Sequence, residues 1–416
     1  MNRKNGVIPW LVAKIALPLL LVLAVNVSAM AAPDAAGTAP KPPTEAAAVQ
    51  AKSDAPDAKA KTNRLESAIQ EAIEAGKVKP EAEPGLLGIP GAPKVNPILA
   101  LLWAVWVGWV FSTVGAFGGV LAAVGHVTVF GLGNYAASFG KTLKLNKLVT
   151  DSLRVSNQWL VGTSALVSSI KWATMGRIVL PMGVALGVGS LAGSILIPWL
   201  TAGKVDLKAY QGYFGVFVLV LGCYLYYETT PGARAKKKLA AAAAKAFEES
   251  SKGHDASAGR VKLVSISLSR VVFTFCGVEF SFNTALPVIG GFLIAAVASF
   301  LGVGGGFLLV PFLTSISQLP MYLAAGTSAF AVLVGMVTSI TTFMFGGTPV
   351  YWPLVGLELV GIVVGSWIGP MTAKYLSDAW LKRFFILLAF VVGIDYFMNG
   401  FFHIDIWKII GGLFGR

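Results

Sequence analysis

Apolar residues fall into ten blocks, five on either side of a polar stretch. The first five run over Pro97–Gly115, Gly118–Leu132, Asn157–Trp172, Ile178–Leu200 and Tyr210–Tyr227. The second five run over Leu286–Leu301, Gly304–Ile316, Tyr322–Phe345, Trp352–Thr372 and Leu381–Phe397. An upright membrane helix needs about 20 apolar residues, so the longer blocks predict spanning helices. The shorter ones predict half-helices that meet at a break in the chain.

Glycine marks where those breaks fall. Gly302, Gly304, Gly305 and Gly306 crowd into five residues ahead of Pro311. Each glycine weakens a helix by roughly 1 kcal/mol relative to alanine, which predicts an interruption rather than a continuous span. Gly115, Gly118 and Gly119 form an earlier copy 187 positions upstream. Irregular backbone at membrane depth must line a cavity or be buried in protein. The amides that open a half-helix suit an anion, while the same small residues also suit close helix packing. No Gly-Lys-Ser/Thr follows, which argues against a nucleotide loop.

The duplication extends beyond the glycines. Gly162-Thr163-Ser164 matches Gly326-Thr327-Ser328, and Gly193-Ser194, Pro198 and Asp206 match Gly365-Ser366, Pro370 and Asp378 at one offset of 172. Five blocks per half is an odd number, so successive halves enter the membrane from opposite sides. The predicted fold is an all-α integral membrane protein of two inverted repeats, each a broken-helix pair plus three spanning helices, behind a disordered N-terminal extension. Residues 1–31 read as a signal peptide or anchor, with Arg3, Lys4 and Lys14 ahead of an apolar run. Residues 32–95 read as a low-complexity extracytoplasmic tail, in which Leu65, Ile69 and Ile73 recur at helical spacing. The first repeat covers 96–228, a basic cytoplasmic linker with a small hairpin around Cys276-Gly277 covers 229–283, the second repeat covers 284–400, and a C-terminal tail covers 401–416. Basic residues between 234 and 270 and at Lys374, Lys382 and Arg383 agree with this orientation; Lys141, Lys144, Lys147 and Arg154 fall on the opposite side.

Composition narrows the function. Of 416 residues, 55% are hydrophobic and 13% charged, about half the charged share of a soluble domain. The net charge of +13 sits largely in loops, as membrane orientation requires, so no nucleic-acid partner is expected. Cys223 and Cys276 stand apart, and His126, His254 and His403 are scattered. No metal, cofactor or enzymatic motif emerges.

The run Gly302-Val303-Gly304-Gly305-Gly306-Phe307-Leu308-Leu309-Val310-Pro311, followed by Ala325-Gly326-Thr327-Ser328, resembles the sulfite exporter TauE/SafE family. In the first copy Phe117 stands for the middle glycine and Val124 for Pro311. The resemblance implies a multi-pass inner-membrane transporter of sulfite, sulfonates or related anions. Its partners would be a small anion and the lipid bilayer. Expected donors are backbone amides at Gly115, Gly118, Gly119, Gly302, Gly304, Gly305 and Gly306, with hydroxyls of Thr163, Ser164, Thr327 and Ser328. Those hydroxyls have an ordinary alternative, bonding to their own helix carbonyls. With no Arg or Lys expected inside a span, Glu358 becomes the candidate proton carrier, Asp395 an interface residue and His126 a packing residue. Export is the expectation; uptake of sulfate by the same scaffold, or a membrane-anchored interaction protein, are the alternatives.

Overall fold

The computed structural model describes residues 55–114, 118–232, 261–267, 269–372 and 378–404. The signal or anchor at 1–31, the tail to residue 54, Gly115 and residues 405–416 lie outside the described residues.

Helix α1 (Ala55–Glu74) precedes the membrane core, and a single 3-10 turn (Leu86–Gly88) follows it. The first half continues as α2 (Pro97–Val114), α3 (Gly118–Val124) with a π turn at Gly125–Val129, α4 (Leu132–Ser138), α5 (Lys144–Thr174), α6 (Leu180–Thr201) and α7 (Leu207–Thr229). Strands β1 (Lys262–Ile266), β2 (Arg270–Phe275) and β3 (Val278–Asn283) form a small antiparallel sheet. The second half is α8 (Ala285–Leu301), α9 (Gly306–Pro311) with a π turn at Phe312–Ile316, α10 (Met321–Phe345), α11 (Trp352–Thr372) and α12 (Asp378–Phe402). By length and apolarity, four described helices can cross a membrane, or five if the pair Gly118–Val129 and Leu132–Ser138, bent by 59°, counts as one span.

Small residues set how the helices pair, as expected where lipid removes the hydrophobic drive between them. Gly361 lies against Leu101 and Gly365 against Val105, so α2 and α11 run side by side in parallel. Gly189 lies against Val288 and Gly193 against Phe292, so α6 and α8 do the same. Gly215 meets Phe397 and Gly222 meets Ala389, which makes α7 and α12 antiparallel. Gly162 packs on Met336 and Gly326 on Trp172, which makes α5 and α10 antiparallel at the centre.

Three expectations need correction. The span expected at Asn157–Trp172 is the C-terminal part of a 31-residue helix, α5. Its earlier turns carry Asn146, Asp151 and Arg154, all buried and each hydrogen-bonded inside the fold. An arginine expected in a loop is therefore buried inside the helix bundle. The tail is also ordered well before residue 95: Ala68, Ala72, Val78, Leu86, Ile89 and Ala92 are buried, and Leu65, Ile69 and Ile73 pack on the same core. Small alanines let α1 approach α5 closely, where Glu71 pairs with Lys144 at 3.5 Å. The expected hairpin is present, with Cys276 and Gly277 both at positive φ (50° and 78°) as a two-residue turn demands, and β1 adds a third strand.

Candidate functional site

The second break is explicit in the backbone. Helix α8 ends at Leu301, Gly302 and Gly304 adopt left-handed φ values of 69°, and helix resumes at Gly306. A residue with a Cβ would be strained at both glycines and would also collide: at Gly304 with Val161 Cγ1 at 2.3 Å, at Gly302 with the Arg154 carbonyl oxygen at 2.8 Å. In the first copy Gly118 and Gly119 open α3.

The two breaks touch. A Cβ on Gly119 would stand 1.6 Å from the carbonyl oxygen of Val303, and Val161 of α5 packs against both Gly119 and Gly304. The start of α3 in the first half thus lies within van der Waals contact of the break that precedes α9 in the second. Each runs into a π turn, and Gly125 and Phe312, where those turns start, are separated by the same 187 positions as the glycine clusters. Single π turns recur at functional sites.

The first π turn carries His126, which the sequence reading took for a packing residue. Its Nδ1 lies 2.5 Å from Asn157 Oδ1 of α5, and its Nε2 lies 2.9 Å from Glu358 Oε2 of α11. All three side chains are buried, and Glu358 Oε1 and Asn157 Nδ2 have no hydrogen-bond partner within the described residues. A histidine in an apolar block gives no sequence signal for such a partner, because Glu358 lies 232 positions away.

Residues 99–396 match the family described as Sulfite exporter TauE/SafE. The chain belongs to that family. Similar proteins include a probable membrane transporter of Methanocaldococcus jannaschii, 29% identical over 134 residues, covering 30% of this chain and 49% of that protein. Another is a probable membrane transporter of Xylella fastidiosa strain Temecula1, 35% identical over 105 residues, covering 24% of this chain and 40% of that one. The chain therefore spans about half, or less, of the curated relatives it matches. No solved structure matches it.

This TauE/SafE protein brings some of the expected site residues together and separates others. Gly118, Gly119, Gly302, Gly304, Gly305 and Gly306 gather at the facing breaks; Gly115 lies outside the described residues. The hydroxyls are held elsewhere. Ser164 Oγ is 2.7 Å from Ser366 Oγ, Thr327 Oγ1 accepts the Val179 N–H at 3.0 Å, and Ser328 Oγ donates to the Ala325 carbonyl at 3.0 Å. Thr163 is half-buried. Because α5 and α10 are antiparallel, Gly162-Thr163-Ser164 sits level with Met336 near the middle of α10, while Gly326-Thr327-Ser328 sits level with Trp172 near the end of α5.

Sequence reasoning placed Arg154 among the loop cations. It is fully buried, its Nη1 donating to Asp151 Oδ1 at 2.7 Å and its Nη2 to Thr201 Oγ1 at 3.1 Å and the Ser299 carbonyl at 3.4 Å. Its guanidinium lies over the rings of Phe343 and Phe300, at 4.8 and 5.4 Å. The available signal was Asp151 and Arg154 at i,i+3 on one helical face, overlooked because charged residues were assigned to a loop.

Proposed function

We propose that this protein is a secondary transporter of a small sulfur oxyanion or organosulfonate, built from two inverted repeats in an inner membrane with its N-terminal tail outside the cytoplasm. The observation that carries the proposal is the contact between Gly119 and Val303, which sets the opening of one half-helix against the break ahead of the other. Half-helix N-termini at a repeat interface are where secondary transporters hold anionic groups. The anion would be bound by amides at Gly118, Gly119, Gly304, Gly305 and Gly306, with Gly115, Gly302, Thr163, Ser164, Thr327 and Ser328 shaping the surroundings. The exchange of partners supports inversion: α2 pairs with α11 as α8 pairs with α6, while α5 with α10 and α7 with α12 are each antiparallel. Mates in two oppositely inserted repeats have that relation.

Proton coupling is assigned to Glu358, with His126 as its partner. A carboxyl and an imidazole in contact, buried against apolar helices, pass a proton between them without a charge being left alone in the bilayer. His126 is seven residues from Gly119, in the same half-helix, so a change of protonation acts on the arm that forms the first break.

The test is flux into proteoliposomes holding purified protein. Labelled sulfite should move and respond to an imposed proton gradient. Preference for sulfate would move the substrate within the same reading, and no flux of sulfite, sulfate, taurine or sulfoacetate would end it.

A further inference from the structure

The described cavity of about 740 Å³ does not adjoin the glycines. It lies beyond the second break, toward the start of α5 and the end of α10, and is lined by Asp151, Gly203, Thr338, Thr341, Thr342 and, at its rim, Arg64 of α1. Asp151 presents its carboxylate there, with Oδ2 accepting the Gly203 N–H at 2.5 Å and Oδ1 held by Arg154. Behind Asp151 the Arg154 guanidinium is shut off from the cavity, and its Nε has no partner within the described residues. On its far side Arg154 reaches the second break: its backbone touches Gly302 and its Nη2 bonds the Ser299 carbonyl. A buried arginine thus connects this cavity with the interruption in the second half.

We infer that Arg154 is the counter-charge for the transported anion, and that Asp151 occupies its guanidinium while the site is empty. This rests on the transport reading and names a group that takes the substrate within it.

Three considerations carry the inference. A buried ion pair is a weak source of stability, since desolvation offsets much of its attraction, so a pair kept at this depth calls for another role. A sulfonate or sulfite offers a guanidinium the same two-oxygen edge that a carboxylate does. An anion entering the cavity meets Asp151 first and can take its place, and Arg64, whose Nη1 bonds the Gly346 carbonyl at 2.8 Å on the cavity rim, supplies a second positive charge. With a singly charged anion, two cations then face two anions, and the site stays balanced during the exchange. The Asp151 carboxylate keeps the Gly203 N–H after leaving Arg154, so it is not stranded.

Calorimetric titration of the full-length, detergent-purified protein with sulfite and with sulfate tests this. Asp151→Asn removes the internal competitor and should tighten binding by about tenfold. Arg154→Gln alone removes the cation that offsets the buried Asp151 charge, so the informative variant is Arg154→Gln with Asp151→Asn, which removes both charges. It should elute as a single species, unfold cooperatively and bind at least a hundredfold more weakly. Wild-type affinity in the double variant overturns the assignment of Arg154. Unchanged or weaker binding in Asp151→Asn overturns the exchange. Wild-type protein that binds neither anion defeats this inference together with the transport reading, whereas binding that survives in the double variant defeats this one alone.

Discussion

His126 Nε2 lies 2.9 Å from Glu358 Oε2, both side chains about 1% exposed, although one follows α3 in the first half of the chain and the other lies on α11 in the second. Replacing Glu358 by Gln keeps a hydrogen-bonding group beside the imidazole but removes the carboxyl's proton chemistry. Downhill anion flux should persist in proteoliposomes, while accumulation driven by a proton gradient should fall at least tenfold. Gradient-driven uptake equal to wild type in Glu358→Gln would rule out Glu358 as the carrier.

Gly119→Ala is the sharpest probe of the facing breaks. One methyl would stand 1.6 Å from the Val303 oxygen, so the two half-helices must separate to admit it. Overpacking of that kind costs about 1–3 kcal/mol, enough to lower the unfolding temperature while leaving insertion intact. Flux should drop at least tenfold. Gly305→Leu, whose Cβ would meet Ile294 Cγ2 at 2.9 Å, should lower flux similarly. Normal flux in both variants would separate the breaks from transport.

The second break was legible because it writes itself locally, as a glycine cluster ahead of a proline. The partnerships across the bundle were not. Arg154 looked like a loop cation because Lys141, Lys144 and Lys147 precede it, and only the long helix α5 shows that it turns inward. His126 and Asn157 lie in different blocks, and their junction with Glu358 depends on how α3, α5 and α11 pack. The order in α1 was half visible. Leu65, Ile69 and Ile73 marked a helical face, but the burial rests on Ala68 and Ala72, and alanine in an Ala-rich stretch carries no pattern of its own.

That helix gives a test independent of transport. Ala72 is wholly buried, and Glu there would place a carboxylate in an apolar contact at a cost of several kcal/mol. Ala72→Glu should undock α1 without unfolding the bundle, which keeps its own core. Trypsin should then cut after Arg64 and Lys77 at least tenfold faster, with the membrane core protected. Unchanged cleavage would mean that α1 is not held by this face.

Gly193 and Gly365 occupy equivalent places in the two halves. A Cβ at Gly193 would meet the Phe292 carbonyl oxygen at 2.6 Å, and one at Gly365 the Val105 oxygen at 2.0 Å. Each glycine lets a parallel helix pair close to backbone contact, α6 on α8 and α2 on α11, where lipid-facing helices gain their cohesion from packing alone. Leu at either position must push one helix away along its length, so Gly193→Leu and Gly365→Leu should lower the unfolding temperature by similar amounts. The two contacts share no residue, and independent sites add; the double variant should therefore lose the sum of the two effects within about 0.5 kcal/mol. A marked inequality between the single variants would show that the halves carry unequal loads despite their matching glycines. A double variant no worse than either single one would show that both helix pairs release together, as parts of one cooperative interface.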